Sequence, residues 1–156
     1  MTKYIFLDFD GVLNTEQYQA QCQLMGLPVS DKYGPHFSQK AIRNLQRLID
    51  ETGAEVVIIS SWRYIMLHDK LRKMWKDRHL PEAIIHILDP DKKMYDISKG
   101  DQIANFMSVR KNNPYVILDD EWEFLDSQLS HLIHINPVNG IKKRNVEAGI
   151  MILNQS

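Results

Sequence analysis

The chain holds a single cysteine, Cys22, among 156 residues. That scarcity excludes an intrachain disulfide and any metal cluster built on several thiolates, and it leaves packing as the expected role of the thiol. Excess charge is also missing: 19 basic against 20 acidic side chains give a net charge of −1. No global field therefore draws the chain to nucleic acid or to a membrane surface, although local clustering does not show in such a sum. Long apolar runs are absent too. Met1-Thr2-Lys3 lead straight into a short stretch that ends at Asp8, which is too short for a signal-peptide core or a bilayer span. No membrane partner and a cytoplasmic, reducing location are expected. The chain has no internal repeat, low-complexity tract or long linker, and nothing in its pattern specifies an oligomeric state. Its six histidines form no ligand pattern. His131 and His134 flank an apolar run and read as packing or surface residues, and nothing demands a role for His36.

What is present is the make-up of one ordinary globular domain, 44% apolar and 25% charged. Short β-branched or aromatic runs at 4–7, 55–59, 83–88, 115–118 and 132–135 read as strands buried on both faces. Between them lie stretches of helical spacing. In 38–51 the apolar positions Ala41, Ile42, Leu45, Leu48 and Ile49 recur at i, i+3 and i+4, with Ser38 to start the helix and Gly53 to end it. Segments 62–79, 100–109 and 141–153 repeat the pattern. Strands alternating with helices predict an α/β fold, a Rossmann-like three-layer sandwich on a mainly parallel five-stranded sheet. Residues 14–37, with Gly26, Pro28, Gly34 and Pro35, fit the alternation poorly. They read as a small excursion over one sheet edge, with a short helix near 18–25.

In such a sheet ligands bind at the carboxyl ends of the strands, and here those ends carry acids and hydroxyls. The first strand runs into Asp8-Phe9-Asp10-Gly11, the second into Ser60-Ser61 and the fourth into Asp119-Asp120-Glu121. Gly11 permits close backbone approach to a ligand. Crowded carboxylates resist ionisation without a partner cation, and hard oxygen donors suit Mg²⁺, so a metal between Asp8 and Asp119 answers the crowding. The bland alternative for the acidic run is a helix beginning near Asp120, where acids favour the dipole. A second acidic pair, Asp89-Pro90-Asp91, reads as a turn, because Pro between aspartates is turn chemistry and Lys92-Lys93 neutralise it. Ser61 is the expected cap of the helix starting near Trp62, which leaves Ser60 free to hydrogen-bond a phosphate oxygen. Lys99 and Gly100 would stand in the first turn of a helix capped by Ser98. A cation and a poor helix former together at that point suggest a site requirement.

These residues resemble the haloacid dehalogenase (HAD) superfamily of phosphotransferases over nearly the whole chain. Phe6-Leu7-Asp8-Phe9-Asp10-Gly11-Val12-Leu13 resembles the first motif of that superfamily and Val57-Ile58-Ile59-Ser60 the second. Lys99 resembles the third and Val116-Ile117-Leu118-Asp119-Asp120 the fourth. Ser60-Ser61-Trp62-Arg63 is also similar to a capless subgroup associated with RNA-repair polyproteins. The resemblance implies that Asp8 attacks phosphorus and Asp10 serves as general acid and then base. It also implies that Asp8, the Asp10 carbonyl and Asp119 hold Mg²⁺, with Asp120 orienting the metal shell, and that Ser60 and Lys99 bind phosphoryl oxygens. Asp10 favours phosphate transfer over dehalogenation. With only 14–37 and a loop at 89–98 to serve as cap, the site is expected to be open to a phosphate on a nucleic-acid end, a nucleotide or a phosphoprotein. Trp62, Arg63 and Tyr64 could stack a base and pair a phosphate there, or simply pack. A non-catalytic receiver-like phospho-acceptor domain is the competing class. Receivers place Asp-Asp after the first strand and their acceptor after the third, and Asp-x-Asp-Gly after the first strand departs from that pattern.

Overall fold

The structure, a computed structural model, describes residues 1–90 and 96–155. The predicted turn at Asp89-Pro90-Asp91 therefore falls partly outside the described residues, as do Lys92 and Lys93. In chain order the elements are β1 (Tyr4–Leu7), α1 (Glu16–Leu24), β2 (Ser30–Asp31), β3 (Gly34–Pro35), α2 (Gln39–Thr52) and β4 (Glu55–Ile58). After a 3₁₀ turn at Ser61–Tyr64 come α3 (His68–Asp77), β5 (Ile85–Ile87), α4 (Lys99–Met107) and β6 (Tyr115–Asp119). A second 3₁₀ turn at Asp126–His131 leads into β7 (Leu132–His134) and α5 (Lys143–Leu153).

Five strands form one parallel sheet in the order β5-β4-β1-β6-β7. The chain starts in the middle, grows outward through β4 and β5, and returns to the other side of β1 for β6 and β7. The order therefore reverses between β1 and β6, the position where open α/β sheets bind ligands. Successive side chains along each strand point to opposite faces. Ile5, Leu7, Val56, Ile58, Val116 and Leu118 pack under α2, α3 and α5, while Phe6, Val57, Ile59 and Ile117 meet Ile103 and Phe106 of α4. Burial on both faces is why these strands read as unbroken apolar runs. Among the described residues, no helix is long and apolar enough to cross a membrane.

One expected helix is shorter than its spacing suggests, and an alternative one is not formed. The spacing over 62–79 predicts one helix, but the chain makes the 3₁₀ turn, breaks at Ile65–Leu67 and restarts as α3. Ile65, counted on the apolar face, is 79% exposed, as is its neighbour Leu67 at 82%, whereas Trp62 and Met66 are buried. No helix begins at Asp120. The Asp119 Oδ1 accepts from the Glu121 backbone N–H at 3.0 Å, a local side-chain bond that competes with helix formation. The excursion at 14–37 holds α1, capped by Thr15, and the β2–β3 hairpin.

Candidate active site

Leu7, Ile58 and Leu118 stand in register across β1, β4 and β6, so the residues that follow them lie along one edge of the sheet. Asp8 and Asp119 are 4% and 0% exposed there. The Phe9 backbone N–H donates to Asp8 Oδ1 at 2.8 Å. Lys99, reaching over from the first turn of α4, donates to Asp119 Oδ2 at 2.9 Å and lies 3.5 Å from Asp8 Oδ2. Carboxylate oxygens of Asp8, Asp119 and Asp120 all come within 4.8 Å of one another. Burial, with repulsion from Asp119, drives the Asp8 carboxyl well above its usual range despite Lys99. Burial and the bond and charge of Asp119 push Asp120 up to about 6. Although burial works against its charge, Asp8 and Asp119 hold the Lys99 ammonium above its ordinary value. One ammonium among three carboxylates leaves the cluster short of positive charge. Its all-oxygen donor set fits a hard divalent cation. The resemblance puts Asp120 behind the metal ligands, yet its carboxylate stands in the same cluster. The Asp10 carboxylate is not part of it.

Asp10 instead has donors of its own. Its Oδ1 accepts from Asn14 Nδ2 at 2.8 Å and from the Trp62 indole Nε1–H at 3.1 Å. Asn14, which sequence reasoning passed over, also accepts the Gly11 N–H on its Oδ1 at 2.9 Å and so closes the loop after β1. Gly11 has φ +78°, and a Cβ there would meet Asp120 Oδ2 at 2.5 Å. Both the positive φ and the close approach require glycine.

At the end of β4 the capping residue is Ser60 and not, as expected, Ser61. Ser60, fully buried, is the cap, its Oγ accepting from the Trp62 N–H at 3.2 Å. Ser61 faces a cavity of about 370 Å³ that is also bounded by Asp8, Asp10, Arg63, Tyr64, Lys99 and Glu121. Trp62 is buried against Phe9 and Phe37, with ring centroids 5.3 and 5.5 Å apart, so its faces are closed to a stacking base. Arg63, 4% exposed, donates to the Ser60 and Leu88 carbonyls at 2.8 Å and to Gln102 Oε1 at 2.9 Å. It ties the 3₁₀ turn to β5 and α4 and reaches the cavity wall. Gly100 has a packing explanation, because a Cβ would fall 2.9 Å from Gln128 Oε1.

The histidines take supporting places. His134 stacks on Trp122 at 4.0 Å and bonds the Asp120 carbonyl at 2.8 Å, His131 stacks on Tyr115, and His36 lies 3.9 Å from Asp31. Cys22 is buried. Asp89 is exposed and lies 3.8 Å from His68, outside the acidic cluster.

No curated protein and no solved structure matches the chain. Residues 4–146 match one family model, described as the HAD domain in Swiss Army Knife RNA repair proteins. That span runs from β1 to the start of α5 and takes in all four strand-end and helix-start positions assembled around Asp8. By this match, and by the parallel sheet that delivers those positions to one edge, the chain belongs to the family of HAD domains found in Swiss Army Knife RNA repair proteins.

Proposed function

We propose that the chain is a Mg²⁺-dependent phosphomonoesterase that works through an aspartyl-phosphate on Asp8. Family membership supports phosphatase-type hydrolase chemistry. The observation that carries the finer reading is the placing of Asp8, a buried carboxylate at the topological switch point, 3.5 Å from a lysine and within an acidic cluster that can hold a cation. Asp8, Asp119 and Asp120 would hold Mg²⁺ together with the Asp10 carbonyl. The ion when bound supplies charge neutralisation to the carboxylates and to the phosphoryl oxygens.

In the first step an Asp8 oxygen forms a bond to phosphorus as the bond from phosphorus to the ester oxygen breaks. The electron pair of that bond goes to the leaving oxygen, which takes the proton from Asp10. In the second step the Asp10 carboxylate takes a proton from water. The resulting O–P bond displaces the Asp8 carboxylate, and inorganic phosphate leaves. Lys99, the Ser60–Ser61 segment and the adjoining backbone N–H groups bind the equatorial oxygens, so positioning and charge supply most of the rate.

We assign the substrate to phosphates on nucleic-acid ends or nucleotides. The cavity beside Asp8 has Tyr64 and Ile97 on its wall, and among the described residues only α1 and a two-residue-per-strand hairpin stand where a cap would. The test is phosphate release from 3′- and 5′-phosphorylated oligonucleotides, nucleotides, a phosphopeptide and an aryl phosphate, with Mg²⁺ or with chelator. Metal-dependent release that is lost in Asp8→Asn supports the chemistry, and turnover that favours the phosphopeptide overturns the substrate assignment. An active Asp8→Asn enzyme would overturn the mechanism.

A further inference from the structure

The excursion at 14–37 is too small to cover the site, yet it grips one residue of it. Trp62 lies between Phe37 at 5.5 Å and Phe9 at 5.3 Å. The hairpin backbone presses on the far edge of the indole, where a Cβ on Gly34 would sit 3.3 Å from Trp62 Cη2. Arg78 closes the stack, 4.5 Å from the Phe37 centroid and 5.7 Å from that of Trp62, and is itself held by Asp31 at 2.6 Å. An indole with its faces and edge packed in this way has little rotamer freedom. Its one polar atom, Nε1, points at Asp10 Oδ1. Asn14 Nδ2 reaches the same oxygen from the other side of the loop. No described residue donates to Oδ2, and Asp10 is exposed where it borders the cavity beside Asp8 and a second cavity of about 510 Å³ beside α1.

We infer that Trp62 is a positioning residue for the acid–base group of the reaction: with Asn14 it occupies both acceptor directions of Asp10 Oδ1 and so leaves Oδ2 to carry the proton exchanged with the leaving oxygen. A carboxylate oxygen that already accepts two N–H groups has no lone pair left for a proton. The proton must then sit on the other oxygen, Oδ2, and the two bonds to Oδ1 keep the carboxyl group from rotating to exchange them. On this reading the small excursion serves the chemistry by clamping Trp62. The inference rests on Asp10 acting as the general acid and base.

The test exploits leaving-group chemistry. 4-Nitrophenolate departs without a proton, whereas the oxygen of an alkyl ester such as glycerol 2-phosphate needs one. The comparison is made in kcat/KM, which stops at departure of the leaving group and so leaves out the water attack common to both esters: Asp10→Asn should lower it on the alkyl ester at least ~100-fold more than on 4-nitrophenyl phosphate. Trp62→Phe, which keeps the aromatic packing and loses the N–H, should lower kcat/KM about tenfold on the alkyl ester and less than ~2-fold on the aryl ester. Asn14→Asp, which keeps the acceptor for the Gly11 N–H and turns a donor against Asp10, should show the same selectivity. An equal loss on both esters, or no loss, in the Trp62 and Asn14 variants overturns the inference when Asp10→Asn remains selective. A non-selective Asp10→Asn overturns the reading of Asp10 itself, and the inference falls with it. A second readout needs no turnover. The indole N–H resonance that disappears in Trp62→Phe should move in Asp10→Asn, while that of Trp75, bonded to the Pro81 carbonyl at 2.9 Å, stays in place. A Trp62 resonance indifferent to Asp10 overturns the hydrogen bond on which the inference stands.

Discussion

Replacing Asp120 by Asn removes one charge from the acidic cluster while keeping the shape of the side chain and a donor toward Asp119. In the metal-free protein this change should stabilise the fold. Burial first, then the hydrogen bond and charge of Asp119, lift the Asp120 carboxyl from 3.8 to about 6. Between those two values the native state holds more protons than the unfolded chain, so stability falls as pH rises through that window and the whole penalty is present by about pH 7. A shift of roughly two units corresponds to about 3 kcal/mol. Because the side chain is only partly buried, solvent screening reduces this to about 1.5 kcal/mol. For a chain of this size that gain raises the melting temperature by roughly 3–6 °C. The assay is thermal unfolding in chelator, followed by circular dichroism, for wild type and Asp120→Asn. The variant should melt higher near pH ~7.5 and lose its advantage near pH ~4, below the window in which the wild-type group ionises. A variant that melts lower than wild type in chelator at neutral pH would refute the argument that charge crowding dominates at this edge.

Other outcomes follow from the same geometry. Mg²⁺ at a hundredfold excess over its Kd should stabilise the wild type by about 2.7 kcal/mol, read as an upward shift in melting temperature, and Asp119→Asn should lose most of that gain. Gly11→Ala forces a Cβ to within 2.5 Å of Asp120 Oδ2 at a positive φ. It should cost about 1–3 kcal/mol by denaturant unfolding and depress phosphatase activity more than a surface Gly→Ala change such as Gly26→Ala. Arg78→Met removes the clamp on Phe37 and the hairpin and should cost about 2 kcal/mol near neutral pH. Burial works to raise the Asp31 carboxyl, but its bonds to Arg78 and the Tyr33 N–H hold it below 3.8. The Asp31 contribution is thus present above its unfolded value and lost as pH falls through the lower native one. The gap between wild type and Arg78→Met should accordingly narrow in acid unfolding below about pH 4.

The sheet was legible because each strand is buried on both faces and must be apolar throughout, and because the alternation with amphipathic helices leaves few topologies open. All five strands and the helices α2, α4 and α5 lie where periodicity and caps place them, within a residue or two. The segment at 62–79 misled because apolar spacing reports which residues are hydrophobic and not which are covered. Ile65 keeps the helical rhythm and stands in solvent. The acidic run at 119–121 misled for a different reason. A helix start and an Asx-type turn attract the same residue types, and only the Asp119 bond to the Glu121 N–H separates them. The cap falls on Ser60 in place of Ser61 because the 3₁₀ turn begins one residue earlier than the expected helix, a shift beyond the resolution of sequence pattern.

The two halves of the site differ in how they are encoded, and the difference is physical. Asp8, Ser60 and Asp119 are fixed by strand ends. Once β1, β4 and β6 are placed in register, those side chains must share an edge, and sequence suffices to bring them together. Asp10 lies three residues beyond the end of β1, where the strand no longer dictates the direction of the side chain. Its orientation comes from a donor 4 residues away and another 52 residues away. The second of these is held by residues of the excursion and of the turn after α3. A cross-element hydrogen bond of this kind leaves no periodic trace, since Trp62 satisfies the apolar pattern equally well whether its N–H is used or idle. The residues that set the direction of the Asp10 carboxylate are therefore the ones that reading along the chain assigns to packing, and they become visible only when the fold closes around Asp10.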